Sequence, residues 1–491
     1  MKYLLLFARK AYNNESKKTM NSKTTKGINP YVLVILSFLA VILVGSVLLV
    51  TPWSQKNGQW ASYIDALLAA FSATCVTGIT AYPAGVADTL TFGGQIVLLL
   101  MIQIGGLGFV TILTFIITIF KHRLEFRNRY FISQMVNTTN FADVVMFVRK
   151  IVLISFTCEL VGTFLYMPAF YQAFMGHGGN FGDVIWYSIF HSISSFNNAG
   201  FDLMHGTFSY IKEGNVILSH LSDGMYIYMC CVAMGLIILG GISFLVIIDV
   251  FNFKKKPSQW RSFTKAVLFT NGVLLITGAV LIFLTDGLKG AGSMSPFQAM
   301  FQSVTCRTAG FSTYSQDNLS IAGKAISCLL MLIGGSPLST AGGIKTTTLF
   351  MIALASVSYF KGKRVSAFKR SFSTVMIVKA LVLLLLAIVV LMVSYIVIVT
   401  IGLDPKYNYG DLGVKSTFNE AVVFDVFSCF GTVGLAIGIE PYLPIASKLI
   451  LCVLMFLGRL GPITFFQIFQ SNMDKEELKH YKLVEEDILI G

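Results

Sequence analysis

Four short segments of the chain share one pattern, a glycine preceded by small or hydroxyl-bearing residues and followed by an apolar residue. The segments are FSATCVTGIT at 71–80, SFNNAGFDL at 195–203, VTCRTAGFST at 304–313 and SCFGTVGLAI at 428–437. They recur roughly every 110–125 residues, as expected of a supersecondary unit that is used four times. Glycine permits a backbone that turns several carbonyl oxygens to one side, and rings of carbonyls replace the hydration shell of K⁺ in selective pores. Four such loops in a very hydrophobic chain predict the walls of one cation pore.

The carbonyl groups expected to face the ion precede each glycine. Carbonyl oxygens hold K⁺ without the fixed charge that would bind it too tightly. The short helix before each loop is expected to point the negative end of its dipole at the same place, which favours a cation. An ordinary turn is the alternative for any single loop, and four loops at matching positions argue against it. The predicted filter residues, whose backbone carbonyls would bind K⁺, are Val76, Thr77, Gly78, Asn198, Ala199, Gly200, Thr308, Ala309, Gly310, Thr432, Val433 and Gly434.

The composition indicates a polytopic membrane protein. Of 491 residues, 55% are hydrophobic and 12% are charged, against about 25% charged in soluble domains. Lys and Arg cluster at 2–26, 121–129, 254–265 and 361–370, and the positive-inside rule assigns these clusters to the cytoplasm. A net charge of +13 is typical of nucleic-acid-binding proteins, but its confinement to helix ends favours anionic membrane lipid or an acidic partner protein and no nucleic acid.

The loops divide the chain into four similar units. Each unit is predicted to contain a spanning helix, a half-helix too short to cross the membrane, the glycine loop and a second spanning helix. The half-helices are predicted at about 61–72, 182–195, 294–305 and 416–428, and the second spanning helices at about 92–120, 217–250, 320–360 and 443–470. Each unit then starts and ends in the cytoplasm, as the basic clusters require. The predicted fold is an all-α polytopic protein of the cell membrane, with four pseudo-repeated helix–re-entrant pore loop–helix units around a central pore. Its predicted parts are a basic cytoplasmic N-terminus at 1–30, pore units at 31–120, 121–250, 251–360 and 361–470, and a cytoplasmic tail at 471–491.

A second repeated feature is a pair of glycines, or a variant of it, in the second helix of each unit. The pairs lie in IGGLGF at 104–109, LGGISF at 239–244, IGGSPL at 333–338 and LGRLGP at 457–462. Close helix packing explains the first two as well as a functional role does. The third continues into GGSPLSTAGGIKTTT, which cannot form an uninterrupted helix facing lipid. Such irregular backbone is tolerated at membrane depth only where protein buries it or it lines a cavity.

The fourth unit carries Arg459 where two other units have a second glycine. A mid-helix arginine costs roughly 2.5–3.5 kcal/mol without a partner or a wet cavity. Facing the pore, its charge would repel K⁺ and its guanidinium would hydrogen-bond to carbonyls of the 334–343 loop; snorkelling to the cytoplasmic interface is the alternative. Arg307, just before the third filter, is expected to brace that filter loop by hydrogen bonds to its carbonyls. Acids near membrane segments are candidates to neutralise Arg307 or to attract cations at the mouth of the pore, with a structural salt bridge as the alternative for each: Glu159, Asp223, Glu420 and Asp425. The predicted gate residues are Gly334, Gly335, Ser336, Pro337, Ser339, Thr340, Gly342, Gly343 and Arg459.

The loops and the unit plan resemble the superfamily of K⁺ transporters that contains KtrB, TrkH and the plant HKT proteins. VTG, NNAG, RTAG and TVG stand at the matching positions, and the plan covers about 31–470. The resemblance implies four non-identical units that imitate a tetrameric K⁺ channel, with a mobile intramembrane gate at 334–348. A first unit that begins near residue 31, without the leading helix pair typical of TrkH-like members, favours the KtrB-like branch. A full TVGYG motif is missing, so strict K⁺ over Na⁺ selectivity is not implied.

The resemblance implies the K⁺-translocating subunit of a Ktr-type uptake system, with Na⁺ dependence left open. It also implies a homodimer and a cytoplasmic ring of nucleotide-binding RCK subunits (KtrA-like), because the chain itself has no GxxxxGK[ST] motif. No cofactor in this chain is expected; K⁺ is the substrate and Na⁺ a further candidate. Symport of K⁺ with Na⁺ or H⁺, as in the TrkH type, is the alternative. An enzyme is not expected, because HExxH-like spacing and paired intramembrane acids are missing from the sequence.

Overall fold

The computed structural model describes residues 30–108, 144–204, 210–212, 215–251, 257–288 and 293–461. Within these ranges the regular structure is helical, apart from one two-stranded hairpin. The predicted N-terminal segment up to residue 29 and the predicted tail at 471–491 lie outside the described residues, as does the predicted 120/121 boundary.

The first predicted unit begins with a long helix followed by a short half-helix, as expected. Of its second spanning helix, predicted at 92–120, residues 109–120 lie outside the described residues. The half-helix ends at Val76, which adopts a left-handed conformation and starts the glycine loop. Thr91 caps the next helix by accepting a hydrogen bond from the N–H of Gly94, at 3.2 Å, as hydroxyl residues commonly do at this position. The helices are α1 (Pro30–Val50), α2 (Tyr63–Cys75), α3 (Gly85–Thr89) and α4 (Phe92–Leu107).

The second unit departs from its prediction in one place. Its helices are α5 (Val144–Phe174), α6 (Phe181–Phe196), α7 (Val216–Ser219), α8 (Asp223–Gly241) and α9 (Phe244–Val250). The prediction of one continuous helix over 217–250 is therefore wrong, because residues 242–243 are not helical and separate α8 from α9. The third unit supplies hydrogen-bond partners for the backbone at this interruption. Gly241 O accepts from the N–H of Ser336 at 3.0 Å, and the N–H of Phe244 donates to Leu338 O at 2.9 Å.

The third unit has the interrupted second helix that its glycine-rich sequence predicts. Residues 333–345, here called the gate loop, separate two helices that would otherwise be one. Ser295 and Gln298 form a reciprocal capping box at the start of the half-helix, where Pro296 occupies the first turn. The helices are α10 (Ser262–Ile282, extended by a π-turn at Phe283–Gly287), α11 (Pro296–Thr305), α12 (Ile321–Leu332) and α13 (Thr346–Phe360).

The fourth unit follows a short hairpin of strands β1 (Ser366–Ala367) and β2 (Arg370–Ser371), which pair in antiparallel register. Its helices are α14 (Thr374–Ile401), α15 (Phe418–Gly431) and α16 (Ile445–Leu460). Among the described residues, four helices are long and apolar enough to cross a membrane: Met146–Phe174, Asp223–Gly241, Ser262–Gly287 and Thr374–Ile401. The exposed side chains of α14 are largely Val, Leu, Ile and Met, as a lipid-facing surface requires. The predicted helical architecture is thus present in a mostly helical structure with several apolar helices of membrane length.

The glycine pairs bring the second helices against the ends of the half-helices. A Cβ on Gly105 would overlap the carbonyl of Thr74, one on Gly240 that of Phe196, and one on Gly458 that of Phe430. Each of these carbonyls belongs to the last residues of the half-helix in the same unit. The packing role is therefore present at these glycines, and it fixes the base of each filter loop.

A matched pair of substitutions on α8 tests this packing. We expect Gly240→Ala to lower the apparent unfolding temperature in detergent, because overpacking a tight contact costs about 1–3 kcal/mol. Gly235→Ala is the control, since nothing lies within 4 Å of where its Cβ would be and alanine favours a helix by about 1 kcal/mol over glycine. Equal thermal shifts for the two variants would contradict the packing role.

Candidate cation filter and gate

The four glycine loops share one backbone conformation. Two positions before each glycine the residue has a positive φ: 59° at Val76, 59° at Asn198, 73° at Thr308 and 50° at Thr432. The glycines also have a positive φ: 105° at Gly78, 70° at Gly200, 82° at Gly310 and 94° at Gly434. A non-glycine residue with a positive φ is uncommon, so the same departure at four matching positions marks one shared backbone shape. Because left-handed residues alternate with others, the carbonyls between them can turn to one side.

The amide groups of the loops are occupied by their own half-helices. The N–H of the residue before each glycine donates to a carbonyl in the last turns of the half-helix, at 2.8–3.0 Å (Thr77 to Ser72, Ala199 to Ser194, Ala309 to Thr305, Val433 to Ser428). The N–H of Gly78 donates to the hydroxyl of Ser72 at 2.9 Å, and that of Gly434 to the hydroxyl of Ser428 at 3.1 Å. The backbone donors thus face away from the loops' meeting point, and acceptors are left to face it.

The loops meet in a closed ring. A Cβ on Gly78 would lie 2.6 Å from Ala199 O, one on Gly200 2.7 Å from Ala309 O, and one on Gly310 2.6 Å from Val433 O. A Cβ on Gly434 would overlap Thr77 O, which returns the sequence of contacts to the first loop. Each glycine therefore faces the carbonyl that precedes the glycine of the next loop, and four steps close the circle. None of the four positions has room for a side chain.

A cavity of about 530 Å³ opens on the side of the ring formed by the residues after the glycines. The four glycines line its base, with the carboxylates Asp202, Asp317 and Glu440, and no Lys or Arg is among its described lining residues. Burial acts to raise the pKa of Asp317, but hydrogen bonds from Ser416 and from the N–H of Lys415 outweigh it and hold the pKa below its usual value. Burial raises the pKa of Asp202 and that of Glu440 above their usual values. The cavity is thus an acidic vestibule whose attraction for cations rests chiefly on Asp317.

These vestibule acids were missed by the sequence analysis, which considered Glu159, Asp223, Glu420 and Asp425 instead. Asp202 and Glu440 follow the second and fourth filter glycines closely, which is the signal that could have found them. Of the four acids considered, Asp223 pairs with Lys212 and Glu420 with Lys324, the latter at 3.1 Å. These two therefore do not neutralise Arg307.

The gate loop lies on the opposite side of the ring, against the residues that precede the glycines. A Cβ on Gly342 would overlap the side chain of Thr432. Thr340 donates through its N–H to Gly240 O at 3.2 Å and through its hydroxyl to Phe196 O at 3.2 Å. The N–H of Gly343 donates to Gly458 O at 3.1 Å. The gate loop is thus held by the second and fourth units, directly at the base of the filter.

Arg459 connects the gate loop to the first unit. Its guanidinium donates to Thr340 O, to Gly105 O and, at 3.0 Å, to Gly106 O. None of the described carboxylates forms an ion pair with it, so backbone carbonyls supply its partners. The expected contact with carbonyls of the 334–343 loop is present. A side chain engaged with three carbonyls inside the protein is not snorkelling to an interface.

Two other basic side chains also stabilise the gate loop. Lys345 donates to Ala341 O at 2.7 Å and Gly342 O at 3.4 Å. Arg307 donates to Gly334 O at 3.3 Å and to Asn271 O at 3.4 Å. The expectation that Arg307 braces the third filter loop is corrected by these contacts, because its donors reach past that loop to the start of the gate loop.

The chain is similar to known proteins over nearly its whole length. A family model described as TrkH, cation transport protein, matches residues 3–481. The chain belongs to the TrkH family. The predicted membership in this family of K⁺ transporters is confirmed. The chain is therefore a multi-pass membrane transporter and not an enzyme.

Members of the TrkH family from several bacteria match nearly the whole chain. The potassium/sodium uptake protein NtpJ of Enterococcus hirae is 33% identical over 96% of this chain and 99% of its own length. The Ktr system potassium uptake protein B of Bacillus subtilis is 33% identical over 90% of this chain and 94% of its own. The crystal structure of the potassium transporter TrkH from Vibrio parahaemolyticus superposes with a TM-score of 0.66 at 17% identity, covering 92% of this chain and 87% of that one. This last likeness shows the shared fold.

Glu159 is a buried carboxylate on α5, beside the second filter loop of this TrkH-family chain. Gln103 donates to its two oxygens at 2.9 and 3.1 Å, and Asn197 donates at 3.0 Å. None of the described Lys or Arg side chains pairs with it. Because Asn197 directly precedes the filter residue Asn198, this network joins α4 and α5 to the filter.

We expect Glu159→Ala to destabilise the protein and to reduce cation uptake. The substitution leaves the side-chain amide of Gln103 without its acceptor, at a cost of about 1–3 kcal/mol, and removes one of the three hydrogen bonds of the Asn197 amide beside the predicted filter. Apparent unfolding temperature and initial uptake rate measure the two effects. Glu159→Gln, which keeps the size and one acceptor oxygen, should lie between alanine and the wild type. A wild-type unfolding temperature for Glu159→Ala would show that the network does not hold the filter.

Proposed function

We propose that this chain is the K⁺-translocating membrane subunit of a Ktr-type uptake system, with channel-like permeation down the electrochemical gradient of K⁺. The closed ring of four glycine loops is the observation that carries the proposal. Its amide groups are turned to the half-helices, so carbonyls remain to replace the water shell of a cation. The Bacillus subtilis relative, named as a potassium uptake protein of the Ktr system, supports K⁺ as the substrate.

The filter residues would be the carbonyl-bearing triplets 76–78, 198–200, 308–310 and 432–434. The ion would enter through the acidic vestibule, where the carboxylate of Asp317 raises the local cation concentration. It would then pass the ring and meet the gate loop with Arg459. A positive guanidinium and a peptide loop directly beneath the filter form an electrostatic and steric barrier, which must move before the ion leaves.

The topology follows from the positive-inside rule. The four pore units at 31–120, 121–250, 251–360 and 361–470 would each begin and end in the cytoplasm, with both termini on that side. A homodimer and a cytoplasmic KtrA-like RCK ring would complete the system. The ring would supply the nucleotide response, for which this sequence has no binding motif.

Coupling of K⁺ to Na⁺ is the second candidate. The Enterococcus hirae relative is named as a potassium/sodium uptake protein, and its match covers nearly the whole chain. A current reversal potential that follows the gradients of both ions would support coupled transport. A reversal potential that follows K⁺ alone would support channel-like permeation.

The proposal is tested by K⁺ and Na⁺ uptake in a host without its own K⁺ importers, with and without a co-expressed RCK subunit. We expect the wild-type chain to restore growth at low K⁺ and to take up K⁺ faster than Na⁺. Surface labelling controls for the amount of protein in the membrane. If the inserted chain moves neither ion even with the RCK subunit, the proposal is wrong.

A further inference from the structure

A second cavity, of about 830 Å³, lies far from the filter in sequence and is lined by two connecting segments. One segment, 258–265, leads into the first turn of α10 and contributes Trp260, Arg261 and Lys265. The other is the β1–β2 hairpin, which contributes Lys369 and Arg370. None of the described lining residues is acidic. We propose that this cavity, here called the basic pocket, binds a phosphate group, that of an anionic phospholipid in the adjacent leaflet.

The charges in the basic pocket are mostly uncompensated. Arg261 lies 3.7 Å from the buried carboxylate of Asp249 and is partly neutralised by it. Lys265 donates to the carbonyl of Ser258 at 2.7 Å, which satisfies one donor and leaves its charge intact. Lys369 and Arg370 form no ion pair with a described carboxylate. Arginine and lysine with free donors are the groups that bind phosphate oxygens.

The start of α10 also lies at the pocket. The helix begins at Ser262 with no hydrogen bond from the side chain of the preceding residue, so its positive dipole end adds to the attraction for an anion. The buried carboxylate of Asp249, which accepts from the hydroxyl of Thr264 at 2.8 Å, offsets part of this attraction. Trp260 lines the same side of the pocket.

The hairpin is built to present its basic residues. Phe368 and Lys369, at its turn, have φ values of 51° and 63°, where side-chain-bearing residues pay about 1–2 kcal/mol each. The ring of Phe368 stacks on Phe350 of α13, with centroids 6.1 Å apart and planes at 10°. This contact holds the strained turn in place, and the turn points Lys369 and Arg370 toward the other segment's cations.

The surroundings favour a lipid as the source of the phosphate over an acidic protein. The pocket lies where α10 and α14 begin, on either side of α13. Val375, at the start of α14 five residues after Arg370, exposes 63% of its surface. A cationic head-group site that continues into exposed apolar helix surfaces matches the two ends of a phospholipid.

Native mass spectrometry of the full chain in detergent tests the proposal, because adduct mass distinguishes phosphatidylglycerol, phosphatidylcholine and inorganic phosphate. We expect a phosphatidylglycerol adduct on the wild type in preference to phosphatidylcholine. The triple variant Lys265→Gln, Lys369→Gln, Arg370→Gln should bind phosphatidylglycerol at least about tenfold more weakly. The control, Lys361→Gln, Lys363→Gln, Arg364→Gln, removes equal charge from exposed positions of the same connection outside the pocket and should bind as the wild type does.

Four results would overturn the assignment. Equal loss in the two triple variants would show diffuse attraction and no site, and equal adducts with both lipids would show no need for an anionic head group. Adducts of inorganic phosphate without lipid would assign the pocket to a free anion. Loss of a poly-glutamate complex in the pocket variant, with phosphatidylglycerol binding unchanged, would assign it to an acidic protein partner. None of these readouts depends on transport, so the outcome is separate from that of the proposed function.

Discussion

Gly310→Ser is expected to reduce the preference of uptake for K⁺ over Na⁺ by about tenfold or more, equivalent to about 1.4 kcal/mol of differential binding. A Cβ at this position would lie 2.6 Å from Val433 O and 2.9 Å from the Cα of Gly200. Backbone atoms on both sides must therefore move, and the carbonyls of three loops move with them. The ring would then no longer hold carbonyls at the separation that replaces the water shell of K⁺.

The measurement is the ratio of initial K⁺ and Na⁺ uptake rates at equal surface expression. Gly58→Ser is the matched control. Gly58 also has a positive φ, of 65°, but nothing lies within 4 Å of where its Cβ would be. Gly58→Ser therefore measures how much the strain of a serine at a positive φ affects uptake when the ring is not disturbed. An unchanged ratio in well-expressed Gly310→Ser would remove the third loop from the filter.

The closed ring predicts a similar effect at the other three filter glycines. Because each glycine faces the carbonyl before the next one, serine at Gly78, Gly200 or Gly434 should have the same direction of effect. Gly434 leaves the least room, since its Cβ would overlap Thr77 O. A loss of selectivity confined to one of the four positions would indicate a local defect and no ring.

The elements of the fold were predictable where local signals are strong. The half-helix predicted at 182–195 is Phe181–Phe196, and the one predicted at 294–305 is Pro296–Thr305. Both begin with reciprocal capping interactions that are visible in the sequence as Asn or Ser three residues before Asp or Gln. Gly, Pro and Ser in the third unit likewise predicted the interruption of its second helix, because these residues oppose a helix wherever they stand.

What the sequence could not predict depends on contacts between distant units. The break after Gly241 is stabilised by a loop about a hundred residues later, through Ser336 and Leu338. LGGIS by itself is equally compatible with a continuous, closely packed helix. Arg307 was assigned to its nearest loop because sequence proximity was the only guide, whereas its guanidinium reaches Gly334. The cyclic order of the filter loops could not be predicted either, because it depends on contacts between segments that lie more than a hundred residues apart.

Arg459→Ala is expected to raise the initial rate of K⁺ uptake by about tenfold and to leave the K⁺/Na⁺ ratio unchanged. In the structure the guanidinium joins Thr340 of the gate loop to Gly105 and Gly106 of α4. Hydrogen bonds to a charged group contribute about 1.5–3 kcal/mol each. Because about 1.4 kcal/mol is a factor of ten in an equilibrium constant, losing one of them shifts the equilibrium between the closed and the open loop by about tenfold or more. The filter lies on the other side of the loop and keeps its own hydrogen bonds.

Arg459→Lys separates the role of charge from that of geometry. Lysine keeps the positive charge, but its single ammonium group lacks the fork that lets arginine reach carbonyls of two segments at once. If the bridge closes the path, the shorter ammonium side chain cannot replace it and the rate rises as it does for alanine; if charge alone repels K⁺, lysine restores the wild-type rate. The rate is measured without the RCK subunit, so that only the closure built into this chain is tested. An unchanged rate in Arg459→Ala, at equal surface expression, would show that Arg459 has no role in the gate. The hydrogen bonds of the loop to Gly240, Phe196 and Gly458 would then be what holds it closed.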